Sequence, residues 1–288
     1  MNVAGLILVI IATASWTVGD FSIQQGTRKF GDWFTLFLIG IVGLVFLSPF
    51  VLSDIGEVVQ SGKTLFLLIL CSVVSLATAL LLFEALKRGK LSIIEPIFAL
   101  ELIAAVASSA LAGERLFAAS YYLIALIFIG LFFTTVKNPA TFLKKGIFFE
   151  KGIMYAVIGA LLMGFTDFLT GHASREASPL ITIWFVHSFL AVTCFAYLFA
   201  KGEFFVKFSL VRKNLWMSMR LAVADNVGWL AYAGSMVLVP ISIATAITQS
   251  YIAFAVMAGI FLNKEKIRFH QLAGIALTVA SAIFLIFQ

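Results

Sequence analysis

Ten long apolar runs constrain the fold of this chain more than any other feature of its sequence. Each run has roughly the 20 mostly apolar residues that an α-helix needs to cross a lipid bilayer. Because the apolar residues follow one another without alternation, the runs favour helices over the strands of a membrane β-barrel. The sequence therefore predicts an all-α membrane protein whose ten transmembrane helices occupy residues 3–24, 32–52, 64–86, 92–112, 118–136, 152–173, 179–199, 215–237, 242–262 and 268–287.

The composition agrees with a chain that lies mostly in hydrocarbon. Of its 288 residues, 62% are hydrophobic and 12% are charged, whereas soluble domains carry roughly 25% charged residues. Cys71 and Cys194 both lie within apolar runs, which favours two small hydrophobic side chains over a disulfide or a metal site. The expected partners are the lipid bilayer and a small-molecule substrate, with no nucleic acid and no cofactor, and the expected oligomeric state is a monomer.

Basic residues are concentrated in the loops that follow the odd-numbered spans. Counted with Arg268, which directly follows the last of them, those loops contain sixteen Lys and Arg residues, whereas the loops after even-numbered spans contain three, Lys63, Arg115 and Arg175. The positive-inside rule assigns the basic loops to the cytoplasm. The sequence therefore predicts a multi-pass protein of the cytoplasmic (inner) membrane with both termini outside.

The two halves of the sequence resemble each other. A shift of 147 residues aligns Asp20 with Asp167, and each of these is followed by Phe and, eight residues later, by Arg. A shift of 151 residues aligns Glu114 with Glu265, each between the fourth and fifth spans of its half. These matches indicate an internal repeat.

The repeat divides the chain into residues 1–145 and residues 146–288, with five predicted helices in each part. Because five is odd, the second part must enter the membrane in the opposite orientation. Inverted repeats of this kind are common in secondary transporters, where the binding site lies at the repeat interface near the middle of the membrane. The sequence therefore predicts two inverted five-helix repeats with a site between them.

Short junctions that contain Glu follow the fourth span of each half, GERL at 113–116 and KEKI at 264–267. Together with the ten spans and the stretch ALKRGKLSIIEPIFALELIAAVASSALAGERL at 85–116, they make the chain resemble the EamA-type transporters of the drug/metabolite transporter superfamily. The resemblance extends over nearly the whole chain. It implies transport of a small metabolite, because members of the family carry amino acids, sugars, nucleotides, amines and other metabolites.

The second half departs from the first in its fourth span. VPISIATAI at 239–247 has no counterpart of Glu95 and Pro96, so the two halves are not expected to supply matching binding groups. The junction acids Glu114 and Glu265 are predicted to be structural, each capping the span that follows it.

Glu101 and Asp225 are the acids that lie deepest in the predicted spans. A charged group at the centre of a membrane helix costs roughly 2.5–3.5 kcal/mol on insertion scales, so it usually faces a cavity or a partner. Both acids are therefore predicted to line a central cavity and to bind either a substrate cation or a coupling proton. By contrast, Glu84 is followed at helical spacing by Lys87 and Arg88 and is expected to form an ordinary ion pair at a helix end.

Aromatic and polar side chains accompany these acids at helical spacing. Trp229 and Tyr232 follow Asp225 by four and seven residues, and Phe98 precedes Glu101 by three. An acid beside aromatic rings can hold an organic cation by charge and cation–π attraction, although aromatic residues are also abundant throughout this chain. The further candidates for substrate binding or coupling are Trp184, His187, Asn226, Gln249, Ser250 and Tyr251.

Asp20 and Asp167 lie off-centre in their spans, toward opposite faces of the membrane. They can line a gate together with Trp16, cap a helix, or pair with Arg28 and Arg175 eight residues further along the chain. These alternatives remain open from the residues alone.

The leading functional interpretation is a secondary active transporter that moves a small polar metabolite, such as an amine, an amino acid or another organic cation, by alternating access. The alternative is a proton-coupled exporter of neutral metabolites, in which the embedded acids serve only the proton. An intramembrane enzyme is less favoured, because Asp20 and Asp167 are expected near opposite membrane faces and catalytic groups must lie within hydrogen-bond reach. A channel is disfavoured by the lack of repeated charges that would line a filter.

We predict that position 63 is outside and position 145 is cytoplasmic. Lys63→Cys and Lys145→Cys would each be made in a background in which Cys71 and Cys194 are replaced by Ala. On intact cells, an impermeant maleimide should label the first variant and leave the second unlabelled until the membrane is permeabilised. Labelling of Lys145→Cys with protection of Lys63→Cys would reverse the orientation.

Overall fold

The described part of the chain is built from α-helices. The computed structural model describes residues 2–88, 91–136, 152–263 and 268–288. In these ranges the helices are α1 (Val3–Phe30), α2 (Asp32–Val51), α3 (Ile55–Gln60), α4 (Gly62–Arg88), α5 (Leu91–Phe98), α6 (Leu100–Leu111), α7 (Ala118–Thr135), α8 (Ile153–Glu176), α9 (Pro179–Ala200), α10 (Phe204–Lys213), α11 (Leu215–Leu238), α12 (Ile241–Thr248), α13 (Tyr251–Asn263) and α14 (Phe269–Ile286).

Seven of these helices, α2, α4, α7, α8, α9, α11 and α14, are long and apolar enough to cross a membrane. Three shorter apolar stretches accompany them, Val3–Gly19, Pro96–Leu111 and Ile241–Met257. The prediction of an all-helical fold is confirmed for the described residues, and its apolar helices fit a multi-pass membrane protein. The count of ten crossings stays a prediction.

Several helices continue past the ends of the predicted spans. α1 reaches Phe30 and includes Arg28 and Lys29 in its last turn, where positive charge suits the helix dipole. Gly31 then separates α1 from α2 with a φ of 82°, a conformation that favours glycine. α8 similarly extends to Glu176. The predicted spans were shorter because they followed the apolar residues alone.

Two predicted spans are broken, and the prediction of continuous helices is wrong there. The span at 92–112 is divided into α5 and α6 at Ala99, and the span at 242–262 is divided into α12 and α13 at Gln249 and Ser250. Around the second break the backbone forms bonds between residues three apart, from Ser250 N to Ile247 O and from Ala253 N to Ser250 O. The Ser250 hydroxyl also donates to Ile247 O at 2.5 Å, which is how serine competes with regular helical bonding.

The long helices pack in pairs that join the two halves of the chain. α1 packs against α11, α4 against α8, α2 against α9, and α7 against α14. Glycine lets two of these pairs approach closely. A Cβ atom added to Gly274 would lie 2.7 Å from Gly130 O, and one added to Gly40 would lie 2.6 Å from Ala191 N. Small residues at such contacts are typical of helix association in membranes.

Glu114 caps a helix of the second half of the chain. Its Oε2 atom accepts a hydrogen bond from Ile241 N at 2.7 Å, and its Oε1 atom accepts one from Ser242 N at 2.9 Å. These N–H groups have no partners within α12, because they belong to its first turn. The predicted capping role of Glu114 is therefore confirmed, but the predicted helix is wrong: the carboxylate caps α12 and not the following helix, α7.

Arg175 completes this junction at the end of α8. Its Nε atom donates to Met236 O at 2.8 Å and its Nη2 atom donates to Val239 O at 3.1 Å. Nη2 also lies 3.8 Å from Glu114 Oε2. Of the alternatives left open for Asp167, pairing with Arg175 is therefore not found, because Arg175 lies about 12 Å further along the helix axis and satisfies carbonyl groups at the end of α11. We call Glu114, Arg175 and the start of α12 the Glu114 junction.

The expected helix-end pairing of Glu84 is confirmed. Arg88 Nε lies 2.5 Å from Glu84 Oε1, and Lys87 Nζ lies 3.8 Å from Glu84 Oε2. The side chain of Glu265, the second junction acid, lies outside the described residues, so its predicted capping role stays a prediction.

We predict that Glu114→Ala lowers the free energy of unfolding by about 1–3 kcal/mol, the range expected when buried donors lose their acceptor. Glu114→Gln should have a smaller effect, because it keeps one acceptor oxygen but loses the charge. Thermal unfolding of the purified protein in detergent would measure both. Glu176→Gln is the matched control, since its partner Lys63 is largely exposed and surface ion pairs contribute little. Equal melting temperatures for Glu114→Ala and the control would contradict this role.

Candidate functional site

The short helix α12 lies at the centre of the helix bundle. All eight of its residues are buried, and it contacts α1, α6, α7, α8, α11 and α14. Its first turn is held by the Glu114 junction, and its last turn leads into the break at Gln249. α12 therefore connects one end of the bundle with the middle of the structure.

Two carboxyl groups meet beside the end of α12. Glu101 lies in the first turn of α6, just after the break at Ala99, and the carboxyl group of Asp167 in α8 lies within interaction distance of it. Asp167 is buried, with 1% of its surface exposed, and Glu101 is half-buried. We call these two groups the carboxyl pair.

Gly164 allows the carboxyl pair to form. A Cβ atom added to Gly164 would lie 2.2 Å from Glu101 O and 2.6 Å from Ala105 N, both of them backbone atoms. The backbones of α6 and α8 are therefore in direct contact at this residue. Asp167 follows Gly164 by three residues and lies on the same face of α8, so the close approach brings its carboxyl group to Glu101.

Polar side chains of α11 and α12 surround the carboxyl pair. Gln249 Nε2 donates a hydrogen bond to Glu101 Oε1. The Tyr232 hydroxyl lies within interaction distance of Asp167 and is 2.5 Å from Thr245 Oγ1. The buried Oδ2 atom of Asp167 has no hydrogen-bond donor among the described residues. The site thus offers an acceptor atom that a proton or a ligand can satisfy.

Two carboxylates in contact inside a membrane protein cannot both keep their charge without compensation. Repulsion and loss of water favour a state in which the two groups share one proton. A cation bound between them can neutralise the same charge. The carboxyl pair can therefore hold either one proton or one cation.

A group of aromatic rings adjoins the carboxyl pair through Tyr232. The ring centroid of Trp16 lies 5.2 Å from that of Trp229, 5.1 Å from that of Tyr232 and 6.1 Å from that of Tyr251, all edge-to-face. Trp16 packs directly on Gly228, where an added Cβ atom would lie 2.5 Å from Trp16 Nε1. We call these four residues the ring group. Their faces carry the negative potential that attracts organic cations.

The structure brings together several residues that the sequence separated. Glu101, Gln249 and Tyr232 were predicted for a central cavity, whereas Asp167 and Trp16 were predicted for a gate. Asp167 instead lies with Glu101, because α8 continues to Glu176 and Asp167 is closer to its middle than the apolar run indicated. Trp16 lies in the ring group.

Asp225 lies about two helical turns from this site. It precedes Tyr232 by seven residues on α11, about 10.5 Å along the axis. Asp225 is 6% exposed, and its backbone N lies 4.0 Å from a Cβ atom added to Gly19 of α1. The prediction that Asp225 lines a central cavity with Glu101 stays a prediction, and the acid that lies beside Glu101 is Asp167.

His187 and Asn226 form a separate polar contact between α9, α11 and α2. Asn226 Nδ2 donates to Ile39 O at 3.0 Å and to Ala222 O at 2.8 Å. Its Oδ1 atom therefore accepts from His187 Nδ1, at 2.8 Å. An added Cβ atom on Gly43 would lie 2.3 Å from His187 Nδ1, so the contact is tightly packed. This arrangement favours a packing role for both residues.

Three other candidates lie apart from the carboxyl pair. Trp184 Nε1 donates to Ser48 Oγ of α2 at 2.8 Å. Phe98 packs in a cluster with Ile153 at the start of α8, because the break at Ala99 interrupts the helical spacing that linked it to Glu101. Ser250 bonds to its own helix turn. The side chain of Asp20 lies outside the described residues.

Two important residues, Thr245 and Gly164, were missed by the sequence interpretation. Thr245 lies in an apolar run of small residues that carries no periodic signal. Gly164 resembles any other glycine of a membrane helix until the partner helix is known. The described residues contain no group of three or more His, Cys, Asp or Glu side chains that could hold a metal ion.

Comparison with known proteins now identifies the family. The model of the EamA-like transporter family matches residues 3–136 and 150–287. The chain belongs to this family. The predicted resemblance is thereby confirmed, and the protein is a membrane transporter of the drug/metabolite transporter superfamily. Members of this family are transporters, which is consistent with the expectation that the protein is not an enzyme.

A solved structure supports the fold. It is titled only as the crystal structure of a protein, and it matches this chain with a TM-score of 0.74 and 12% sequence identity, covering 98% of this chain and 96% of that chain. At this identity the likeness concerns the fold alone. No match was found among curated proteins.

We predict that Gly164→Ala disrupts the carboxyl pair. The added methyl group would meet backbone atoms of α6, so the helices must separate, at a cost of roughly 1–3 kcal/mol. Thermal unfolding would measure the loss. Gly56→Ala is the matched control, because an added Cβ atom at Gly56 meets nothing within 4 Å. Gly202→Ala is unsuitable as a control, because the positive φ of Gly202 would strain alanine. Unchanged stability of Gly164→Ala relative to Gly56→Ala would contradict the close contact.

Proposed function

We propose that this protein is a secondary active transporter that exchanges a small organic cation, such as an amine, for a proton by alternating access. The carboxyl pair of Glu101 and Asp167 is the shared site. One proton or one substrate cation occupies it at a time, so that binding of one releases the other. The observation that carries this proposal is the close approach of α6 and α8 at Gly164, which brings the carboxyl groups of Glu101 and Asp167 within interaction distance.

The ring group supports a cation as the substrate. Trp16, Trp229, Tyr232 and Tyr251 provide aromatic faces beside the carboxyl pair. Tyr232 links both parts of the site, since its ring belongs to the ring group and its hydroxyl reaches Asp167. A carboxylate beside aromatic rings is suited to an ammonium group that carries an apolar substituent.

The broken helices support alternating access. Secondary transporters commonly form their sites from discontinuous helices at the interface between inverted repeats. Here Gln249, at the break between α12 and α13, donates a hydrogen bond to Glu101, which follows the break between α5 and α6. We further propose that the chain crosses the membrane ten times, as two inverted repeats of residues 1–145 and 146–288.

Contacts between residues at the helix ends support the proposed topology. Ser120 Oγ at the start of α7 donates to Gln288 Oε1 near the C-terminus at 2.7 Å, and Lys63 pairs with Glu176 at 2.9 Å. At the opposite end of the bundle Lys29 donates to Asn214 at 2.5 Å. We propose that this second, more basic end is cytoplasmic and that both termini face the outside of the cytoplasmic membrane.

A proton-coupled exporter of neutral metabolites is the second candidate. In that case the carboxyl pair carries only the proton, and hydrogen-bonding groups such as Gln249 and Thr245 bind the substrate. The observation that favours it is the number of uncharged polar groups near the carboxyl pair, including Tyr232.

We predict that Glu101→Gln and Asp167→Asn each remove proton-coupled amine exchange. A charge-assisted hydrogen bond contributes roughly 1.5–3 kcal/mol, so amine binding should weaken by about 10- to 150-fold. Purified protein would be reconstituted in vesicles containing a pH-sensitive dye, and amine-driven proton movement and amine counterflow would be measured in parallel. Thermal stabilisation by a panel of amines, amino acids, sugars and nucleosides would select the substrate.

The pattern of results separates the candidates. Loss of amine binding and of proton movement in both variants supports the shared site. The control variant Glu176→Gln should keep the native fold and normal exchange. Neutral substrate exchange that persists while its response to a pH gradient is lost would favour the second candidate. If both variants transport and respond to pH like the unmodified protein, both candidate functions are contradicted.

A further inference from the structure

A cavity lies at the basic end of the helix bundle, and its lining residue Tyr155 precedes Asp167 by twelve residues on α8, about 18 Å along the helix axis. The cavity has a volume of about 500 Å³, within the usual range for small-molecule sites. It is formed where α1 and α4 end and α2 and α8 begin, and it extends to α9 and α10. Its polar lining includes Asp32, Glu84, Lys87 and Lys207. The proposed transport mechanism does not use these residues.

Asp32 lines this cavity and has one buried carboxylate oxygen without a partner among the described residues. The residue is the first of α2 and is 7% exposed. Its Oδ2 atom forms an ion pair with Lys87 of α4, whereas its buried Oδ1 atom has no hydrogen-bond partner among the described residues. A buried acceptor without a donor costs roughly 1–3 kcal/mol. A ligand that brings an N–H donor to Oδ1 would remove this cost.

Lys207 provides a positive group close to Asp32. It lies on α10, is half-buried and lines the cavity. Its Nζ atom lies 3.5 Å from the position of a Cβ atom added to Gly31, the residue directly before Asp32. Lys207 makes no ion pair with any residue in the described part of the chain. The cavity lining therefore combines a residue that has an unpartnered carboxylate oxygen, Asp32, with a lysine whose Nζ atom lies close to the residue before it.

Aromatic side chains form one wall of the cavity. Trp33 and Tyr197 are stacked, with centroids 3.9 Å apart and an interplanar angle of 16°, and both line the cavity together with Tyr155. Trp and Tyr are enriched at the membrane–water interface. Their position at the helix ends indicates that this cavity opens at the headgroup level of the bilayer.

We propose that this cavity binds a zwitterion that carries an ammonium group and a nearby phosphate or carboxylate. The ammonium group donates to Asp32 Oδ1, and the anionic group pairs with Lys207. This chemistry is shared by the headgroup of phosphatidylethanolamine and by free small molecules such as phosphoethanolamine and glycine. The site at the interface favours the lipid headgroup as the source.

The choice of probe tests each half of the proposed recognition. Phosphatidylethanolamine has both groups, phosphatidylcholine has a quaternary ammonium without N–H donors, and phosphatidylglycerol has no ammonium group. Purified protein in detergent would be titrated with each lipid, and with phosphoethanolamine and glycine, while native mass spectrometry and thermal unfolding measure binding. Phosphatidylethanolamine should bind at least about tenfold more tightly than either other lipid.

Lys207→Gln is the informative variant, because within the described ranges Lys207 has no ion pair whose loss would destabilise the fold. It should weaken phosphatidylethanolamine binding by about tenfold or more, the equivalent of one charge-assisted contact. Lys213→Gln is the matched control on the same helix, since Lys213 is exposed and does not line the cavity. Asp32→Asn should also weaken binding of phosphatidylethanolamine. The melting temperature of this variant without lipid would report any loss of stability that follows from losing the ion pair with Lys87.

Each outcome decides the proposal. Selective binding of phosphatidylethanolamine that Lys207→Gln weakens and Lys213→Gln preserves supports the site with a lipid as its ligand. Equally tight binding of phosphoethanolamine or glycine supports the site with a small molecule as its ligand. Equal binding of all three lipids, or equal weakening by Lys207→Gln and Lys213→Gln, overturns it. Because amine exchange is measured separately, failure here leaves the proposed function untouched.

Discussion

Hydrocarbon offers no hydrogen bonds, so every backbone group at a helix break must find its partner inside the protein. At both breaks the backbone closes bonds between residues three apart, from Leu102 N to Ala99 O and from Ser250 N to Ile247 O. Gln249 donates to Glu101, and Ser250 closes its own turn onto Ile247. The first turn of α12 meets the same constraint through Glu114. Polar side chains, among them Glu101 and Gln249, thus lie directly at the two breaks.

α12 lies between the Glu114 junction at its first turn and the carboxyl pair beside its last turn. The helix has eight buried residues and is about 12 Å long. Glu114 and Arg175 hold its first turn, and the break after its last turn presents Gln249 to the carboxyl pair. Glu101 and the Glu114 junction thus contact opposite ends of one short, buried helix.

The sequence was sufficient for the helical fold and for part of the site. Long apolar runs predict helices, and the cost of burying charge selects Glu101 and Asp225 as the deepest acids, whereas Asp167 was expected off-centre with its role left open. Periodicity along a single helix indicates how deep a residue lies in the membrane and which face of the helix it occupies, but it does not indicate which helices are in contact. The contact of Glu101 with Asp167 depends on Gly164 and the backbone approach of α6 to α8, and the partner of Glu114 lies 127 residues away. Such long-range pairings follow from packing and not from any local pattern.

The carboxyl pair has a consequence for packing as well as for binding. Two unit charges 4 Å apart repel by about 4 kcal/mol at an effective dielectric constant of about 20, which is comparable to a large fraction of a domain's stability. α6 and α8 make their backbone contact at Gly164, one turn from Asp167. An empty and fully charged pair would therefore oppose the contact that creates it, whereas one proton or one cation relieves the repulsion. Occupancy of the pair and closeness of α6 and α8 must accordingly favour each other. In the proposed exchange, this reciprocity disfavours the empty, doubly charged site and so ties movement of the substrate to movement of the proton.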